Sequence, residues 1–328
     1  MPGAEEAVEQ RVDNLCHTLV GAALAQAGLK RRTRYGMATL LIGANLPDVD
    51  ALTYLGGGGL TALSFRRGWT HGILALAVLP WVLTGLVWAW HRLLGRRKSD
   101  GGAVLHLDQV ALLAVVSVLT HPVLDYLNTY GMRWLMPFVN RWYYADGLFI
   151  ADPWIWLLLG AGVILSSRRD GERGEGSRNP AGRPRPAVVA LVVVAAYAVA
   201  MAVGSAAARG LVRRELMAVG LQPARVLASP VPLNPFRRAI VIDQGDSYRF
   251  GTVNWLRRPA FTLDSLTVRV NRLAPASREA ARSPQGRVFL GWARFPFFII
   301  EPTGLVHIVD ARYTLDPAAE FGSVTIRR

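Results

Sequence analysis

Two long uncharged runs restrict the fold of this chain more than any other feature. Gly72–Trp90 and Pro186–Ala208 contain no charged side chain. The hydrocarbon core of a bilayer is about 30 Å thick, so roughly 20 consecutive apolar helical residues can cross it. Two further runs are apolar except for a few ionisable residues, and these runs are Leu107–Leu127 and Phe149–Leu165. The sequence therefore predicts a helical membrane protein that crosses the bilayer several times.

The positive charge of the chain predicts how these helices are oriented. The formal net charge is +14. Much of it lies in two segments beside the apolar runs, Arg92–Lys98 and Ser167–Arg185. Short basic loops next to membrane helices are typical of cytoplasmic loops. We therefore attribute the charge to topology and expect no nucleic-acid partner.

Four long spans and two shorter N-terminal helices follow from this orientation. The spans cover about 72–94, 104–124, 150–167 and 186–208, running alternately inward and outward. A third basic cluster, Lys30–Arg34, separates two shorter apolar stretches, Leu15–Leu29 and Gly36–Leu46. Each stretch is short for a full span. Both termini are then exoplasmic. The acidic N-terminus has no basic start, so no cleaved signal peptide is expected.

The last part of the chain has a different composition. After about residue 209, short runs with β character alternate with turn residues. The predicted strands are Ala239–Ile242, Tyr248–Trp255, Leu266–Val270, Arg287–Trp292, Phe297–Glu301, Val306–Tyr313 and Ser323–Arg327. We predict a mainly α-helical membrane domain (1–208) followed by a small β-rich exoplasmic domain (209–328), with an irregular loop at Ser166–Arg185.

Ionisable residues in or beside the apolar runs are the candidates for function. Such groups are costly in lipid, so they usually face a cavity. They are Asp13, His17, Asp48, Asp50, His71, His121, Asp125, Asp146 and Asp152. Asp13/His17 and His121/Asp125 are i, i+4 pairs on one helix face, where a carboxylate that only orients a structural histidine is the alternative. Pro122 predicts a kink or a new helix after His121.

Two aspartates follow Pro47 in the segment Asn45–Asp50. In an extended turn, Asp48 and Asp50 would point to one side. Because like charges at close range need a cation, this pair favours a metal-ligand role, although an aspartate that caps a helix is a common alternative. Asp152, which precedes Pro153, is equally explained as a helix cap.

All these ionisable groups fall at the outward-facing ends of their predicted segments. Their convergence from five segments favours one site. The single cysteine, Cys16, leaves imidazole and carboxylate groups as ligands. Such ligands suit Zn, with Mn or Fe as alternatives, and could hold one or two divalent ions. A metal ion can activate water for hydrolysis. Beside the site, Arg66 and Arg67 either hold a phosphate or anchor the chain at lipid headgroups.

Four motifs in order resemble the YdjM-like family of bacterial inner-membrane metal-dependent hydrolases. The motifs are Asp13-x3-His17-Thr18-Leu19-x-Gly21, Asn45-x-Pro47-Asp48-x-Asp50, Arg67-Gly68-x-Thr70-His71 and His121-Pro122-x-Leu124-Asp125-x2-Asn128-Thr129-Tyr130-Gly131. Members often have a histidine before the Arg-Gly pair, where this chain has Arg66.

The resemblance implies a multi-pass protein of the bacterial inner membrane with hydrolase activity. It implies six metal ligands, namely His17, Asp48, Asp50, His71, His121 and Asp125. Asp13, Asp146 and Asp152 are further ligands or support the ligands. The candidates for the catalytic group are Asp50, Asp125 and Asp146.

The predicted substrate is a phosphoester, such as a lipid or an envelope precursor. The His-x3-Asp helix pattern is also similar to that of zinc-dependent phospholipases C and fungal single-strand zinc nucleases, which cleave phosphoesters. Two rival hypotheses keep the same residues. In a transporter, the acidic groups form an ion or proton pathway. In a non-catalytic membrane scaffold, the β-rich domain is the binding module.

Overall fold

Seven α-helices form the first two thirds of the protein in a computed structural model that describes residues 4–94, 104–173 and 185–327. They are α1 (Ala4–Gln26), α2 (Gly36–Asn45), α3 (Tyr54–Phe65), α4 (Ile73–Leu93), α5 (Leu107–Leu127), α6 (Pro153–Arg173) and α7 (Pro186–Ala218). Short 3-10 helices at Leu29–Arg31 and Leu46–Thr53 join the first three. The two predicted N-terminal helices correspond to α1 and α2.

Three of the described helices, α4, α5 and α7, are long and apolar enough to cross a membrane by length and composition. The fourth predicted span is α6, which is helical but continues through Ser166 to Arg173 with polar and charged residues. The number of spans and their direction therefore stay predictions. The predicted irregular loop at Ser166–Arg185 was wrong over Ser166–Arg173, which belongs to α6, and residues 174–184 lie outside the described part of the chain.

The helices that carry the candidate site pack closely through two glycines. A Cβ atom on Gly21 of α1 would lie 2.7 Å from the Leu40 carbonyl oxygen of α2. A Cβ on Gly43 of α2 would overlap the Ser117 hydroxyl of α5. Because neither glycine has a side chain, α2 fits between α1 and α5 with its backbone in contact with both. This places the C-terminal end of α2 beside the end of α5 that contains His121.

The β-rich domain contains two antiparallel sheets. The first has the order β1 (Arg225–Val231), β2 (Asn234–Asp243), β3 (Ser247–Asn254) and β4 (Phe261–Arg269). The second has the order β5 (Pro296–Ile300), β6 (Leu305–Asp310) and β7 (Ser323–Arg327). Between β4 and β5 in the chain lie α8 (Pro275–Arg282) and α9 (Pro284–Trp292), which pack against the second sheet.

The predicted strand at Arg287–Trp292 was wrong, because this segment belongs to α9. The side chain of Ser283 accepts a hydrogen bond from the Gly286 amide, and Pro284 occupies the first turn. A serine cap followed by proline is a strong helix start. These local signals outweigh the strand-like apolar pattern of the residues that follow. The apolar side chains instead pack the inner face of α9 into the domain core.

The β-rich domain contacts the helical region at several places, including the end of α7 and the loop between α5 and α6. Helix α7 continues beyond Ala208, and its last turns pack Val212 and Leu216 against the first sheet. The second contact involves the loop between α5 and α6. The Trp292 indole donates to the Tyr130 carbonyl at 3.1 Å, and the Arg312 guanidinium donates to the Thr129 carbonyl at 2.9 Å. Side chains of the β-rich domain thus hold the loop that follows α5.

Candidate metal centre

The six predicted ligands meet in one buried cluster, although they come from four parts of the chain. His17 lies on α1, Asp48 and Asp50 lie on the 3-10 helix after α2, His71 precedes α4, and His121 and Asp125 lie on α5. All six side chains are buried, and those of His71, His121 and Asp125 have no exposed surface. The fold therefore assembles the residues that the sequence argument grouped together.

The backbone at Asp48 and Asp50 differs from the extended turn that we expected. Leu46–Thr53 is a 3-10 helix with Pro47 in its first turn. With three residues per turn, side chains two positions apart point about 120° away from each other. As a result, Asp48 and Asp50 flank opposite edges of the His71 ring. Asp48 lies 3.7 Å from Nε2 of His71, whereas Asp50 lies 3.4 Å from Nδ1.

The hydrogen bond of His121 determines which of its ring nitrogens faces the cluster. Its Nδ1 lies 2.7 Å from the Ala44 carbonyl oxygen at the end of α2. A carbonyl oxygen can only accept, so Nδ1 carries a proton, and in the neutral ring Nε2 presents a lone pair to the cluster. Helix α5 continues through Pro122, which keeps His121 and Asp125 on one face, with Nε2 of His121 3.5 Å from Oδ2 of Asp125.

A hydrogen-bond chain orients His71 in the same way. Oδ2 of Asp50 accepts from the Arg67 amide at 2.9 Å and from the Thr70 hydroxyl at 2.8 Å. Because the single Thr70 hydroxyl proton is directed to Asp50, the Thr70 oxygen accepts from Nδ1 of His71 at 2.9 Å. In the neutral ring, Nε2 of His71 is then the nitrogen without a proton. Carboxylates that support metal-binding histidines commonly act in this way.

The Nε2 atoms of two imidazole rings therefore face each other inside the protein. Nε2 of His71 and Nε2 of His121 are 3.0 Å apart. Two carboxylate oxygens lie beside both nitrogens: Oδ1 of Asp48 at 3.7 and 3.6 Å, and Oδ2 of Asp125 at 3.2 and 3.5 Å. Ligands of a tetrahedral zinc ion are separated by about 3.3 Å, given metal–ligand bonds of about 2.0–2.1 Å. These four atoms have the chemistry and the spacing of divalent-metal ligands.

The carboxylate oxygens support the same assignment. Both oxygens of Asp48 are buried, and no donor among the described residues makes a hydrogen bond to them. A buried carboxylate without a compensating partner is costly. Two overlapping groups of three residues satisfy simple metal-site spacing, His17/His121/Asp125 and Asp48/His71/His121. A bound cation would compensate the buried carboxylate and the facing imidazole nitrogens of the second group. These residues therefore fit a divalent metal ion.

The first group has less room for an ion of its own. Nε2 of His17 lies 3.4 Å from Oδ1 of Asp125, and the His17 ring stacks on that of His121 with centroids 3.6 Å apart. The Arg67 guanidinium also reaches Oδ1 of Asp125, at 3.1 Å. A second cation there would be repelled by this positive charge. Moreover, the two groups share His121, whose Nε2 has one lone pair. The arrangement favours one ion.

The two predicted substrate-binding arginines differ in their surroundings. The side chain of Arg67 is buried, and besides Asp125 it donates to Oδ1 of Asn128 at 3.2 Å. Arg66 donates to the Tyr54 hydroxyl at 3.1 Å. Its Nε atom is buried and makes no hydrogen bond with the described residues. Burial lowers the pKa of Arg66, but Tyr130, Tyr54 and the nearby carboxylates raise it more, so the guanidinium stays charged.

Two other predicted site residues, Asp146 and Asp152, are not among those that the structure brings together. Asp146 pairs with the Arg294 guanidinium at 2.7 Å, which ties the loop before α6 to the β-rich domain. Asp152 accepts from the Trp154 amide at 3.0 Å and from the Tyr197 hydroxyl at 2.9 Å, as expected for a residue that caps α6. The side chain of Asp13 lies outside the described part of the structure.

Asn128 and Thr70 support the site, and our reading of the sequence gave them no role. Oδ1 of Asn128 accepts from the amides of Tyr130 and Gly131 and from Arg67. This asparagine ends α5, and Gly131 has a positive φ of 82°. An asparagine followed by a glycine is a recognisable turn signal. However, its contact with Arg67 joins distant parts of the chain and has no local signature.

Comparison with known proteins identifies the family of the chain. The family model of the YdjM inner membrane protein matches residues 12–208. The uncharacterized protein YfhP of Bacillus subtilis (strain 168) is 27% identical over 121 residues, which are 37% of this chain and 33% of that protein. The alignment thus spans about a third of the relative. No solved structure matches significantly. The matched region contains all six clustered residues, and the chain belongs to the YdjM inner membrane protein family.

Proposed function

We propose that this protein is a membrane-embedded metal-dependent hydrolase. The observation that carries the proposal is the pair of Nε2 atoms of His71 and His121, 3.0 Å apart and flanked by Asp48 and Asp125. Two buried carboxylates beside two imidazole nitrogens are stabilised by a bound cation. Without thiolates, imidazole and carboxylate ligands suit zinc, and manganese or iron are alternatives.

Each residue near the ion has a distinct task in this proposal. His71, His121, Asp48 and Asp125 hold the ion, while Asp50 and the Ala44 carbonyl fix the rings of the two histidines. When bound, a divalent ion lowers the pKa of water and neutralises charge that develops on a phosphoryl oxygen. Of the three candidate catalytic groups, Asp125 is assigned to the ion and Asp146 pairs with Arg294, whereas Asp50 retains a buried oxygen, Oδ1, without a hydrogen bond from the described residues. We assign proton transfer to this carboxylate.

The substrate in this proposal is a phosphoester, such as a lipid or an envelope precursor at the exoplasmic face. Arg66 supports this class because it is buried, charged and only partly hydrogen-bonded. A guanidinium binds two phosphate oxygens in a planar arrangement. Arg67 instead positions Asp125 and Asn128, since its guanidinium contacts both. We therefore assign the substrate contact to Arg66.

Hydrolysis by the purified full chain in nanodiscs tests the proposal. Protein loaded with Zn²⁺ or Mn²⁺ is incubated with bis-p-nitrophenyl phosphate and with phospholipids, and release of product is measured. We expect turnover that Asp48→Asn abolishes. Arg66→Gln should raise KM, and the control Arg278→Gln, an exposed change on α8, should leave turnover unchanged. Metal-loaded protein that cleaves none of these phosphoesters would overturn the assigned substrate class.

A further inference from the structure

Two hairpin tips of the β-rich domain expose large apolar side chains together. The tip patch consists of four residues in the β1–β2 and β3–β4 turns: Leu233, Phe236, Trp255 and Leu256, with exposed fractions of 66%, 48%, 36% and 70%. The Trp255 amide donates to the Phe236 carbonyl at 3.0 Å, so the two tips are in contact. A contiguous exposed apolar patch marks an interaction surface.

The tip patch lies beside the membrane helices. The Leu233 carbonyl accepts from the Trp154 indole in the first turn of α6 at 3.1 Å. From the base of the patch, Arg238 donates to the Met201 carbonyl at 3.1 Å and to the Ser205 hydroxyl at 2.9 Å, both on α7. These residues lie about 23 to 29 Å along the α7 axis from Pro186. The hydrocarbon core is about 30 Å thick. A span that begins at Pro186 therefore places the patch at the level of the opposite bilayer surface.

A polar cavity opens between the same two turns. Its volume is about 270 Å³, and its lining includes Asn234, Arg237, Thr252, Asn254, Arg257 and Thr262. Both arginines are exposed. Neither forms an ion pair with a carboxylate in the described part of the chain. The side chains of Asn234 and Asn254 accept from the backbone amides of Phe236 and Leu256 and so hold the two turns in place.

The combination of an apolar rim and a cationic cavity indicates the type of ligand. Two guanidinium groups bind a phosphate through charge-assisted hydrogen bonds, and the asparagine and threonine side chains add partners for hydroxyl groups. A free anion would make no contact with the exposed leucines and aromatic residues of the tip patch in the same two turns. Tryptophan at the headgroup level with arginine beside it is typical of protein segments at a membrane interface.

We propose that the cavity between the β1–β2 and β3–β4 turns binds the headgroup of an anionic phospholipid, with the tip patch inserted between the acyl chains. The bound lipid holds the β-rich domain against the bilayer at the end of α7. This site is separate from the candidate metal centre, and the proposal does not depend on hydrolytic activity.

Lipid retention tests the headgroup site. The full chain is equilibrated in nanodiscs that contain phosphatidylcholine and phosphatidylglycerol, extracted, and examined by native mass spectrometry. We expect retained phosphatidylglycerol, with binding about tenfold weaker or more in the Arg237→Gln/Arg257→Gln double variant, because two charge-assisted contacts are lost. The double variant Arg278→Gln/Arg282→Gln removes the same charge from α8 and should retain the lipid.

Two outcomes of this experiment would overturn the proposal. One is equal retention of phosphatidylglycerol by both double variants. The other is displacement of the lipid by inorganic phosphate at a concentration that matches the lipid, which would indicate a site for a free anion.

Insertion of the tip patch is tested by labelling. Because the native Cys16 is buried, a nitroxide can be attached selectively at Leu256→Cys and, as a control, at Leu273→Cys, which is 71% exposed in the wild type. In nanodiscs the label at 256 should be more accessible to oxygen than to a nickel chelate, and the label at 273 should show the opposite. A label at 256 that is accessible to the chelate would overturn the insertion.

Discussion

At the scale of single residues, the candidate site depends on which ring nitrogen each histidine presents. The Ala44 carbonyl accepts a hydrogen bond from Nδ1 of His121, and the Thr70 hydroxyl, which donates to Asp50, accepts one from Nδ1 of His71. Both Nε2 atoms are therefore directed into the same buried space. The hydrogen bonds that support the rings lie behind them, and they orient the ligands before any ion binds.

Asp48 and Asp50 are therefore predicted to respond differently to the same substitution. Asp48→Asn removes a ligand, so stoichiometric metal binding should be lost. Asp50→Asn leaves the ligands in place but loosens His71, so affinity should fall about 10- to 100-fold. Competition with a chromophoric chelator measures both, with Asp264→Asn on the exposed strand β4 as the control. Equal loss in both variants would place Asp50 in direct contact with the ion.

Arg67 is predicted to stabilise the fold. Its guanidinium contacts Asp125 at 3.1 Å, and both side chains are buried. Removing one partner of a buried pair typically costs about 3–5 kcal/mol, because the other charge is left without compensation. Arg67→Gln should therefore lower the Tm of the detergent-purified protein clearly. A Tm for Arg67→Gln as high as that of the control Arg278→Gln, an exposed change on α8, would show that this pair is not important for stability.

At the scale of helices and strands, the candidate site depends on how closely α2 approaches α5. Gly43 lies directly against Ser117, and this contact brings the Ala44 carbonyl within reach of His121. Because a helix interface without space cannot accept another methyl group without a shift, overpacking here should cost about 1–3 kcal/mol. The consequence extends to the metal centre, since the His121 ring is held by the α2 backbone.

Gly43→Ala is predicted to lower both Tm and metal affinity. Gly85→Ala on α4 is the matched control, since a Cβ at Gly85 has no neighbour within 4 Å. There the change should be neutral or slightly stabilising, because alanine favours a helix by about 1 kcal/mol over glycine. Thermal unfolding and the chelator titration compare the two variants. Equal effects would contradict the role of the α2–α5 contact.

The elements differ in how well the sequence predicts them. Long apolar runs predict α4, α5 and α7 because the length of a span is imposed by the bilayer. The pairing of His121 with Asp125 follows from helical periodicity. The sequence placed His71 and His121 at one site, but the 3.0 Å contact between their Nε2 atoms could not be predicted, since it depends on the packing of distant segments. The strand predicted at Arg287–Trp292 was wrong because the cap at Ser283 determines a helix there.

At the scale of the whole molecule, the β-rich domain holds the loop that completes the candidate site. Arg312 pairs with Asp310 at 2.8 Å and donates to the Thr129 and Trp292 carbonyls. Thr129 and Tyr130 follow Asn128, which contacts Arg67. Contacts in the last third of the chain are thus linked through a few side chains to the carboxylate of Asp125. The membrane region and the β-rich domain form one structural unit at this loop.

Arg312→Gln is predicted to loosen that loop. Amide hydrogen exchange over residues 128–131 should become faster, because the loop loses a buried hydrogen-bonding partner. The control is Arg225→Gln, whose pair with Asp243 is partly exposed and should contribute little. Unchanged exchange in Arg312→Gln would show that Arg312 does not hold the loop.

The metal content of the protein tests the central claim most directly. The full chain is purified in detergent without added metal and analysed by inductively coupled plasma mass spectrometry, beside His121→Ala and the control His307→Ala in the β-rich domain. We predict about one divalent transition-metal ion per wild-type chain, its loss in His121→Ala, and its retention in His307→Ala. A wild-type protein that contains no such ion, and binds none when zinc is supplied, would contradict the account.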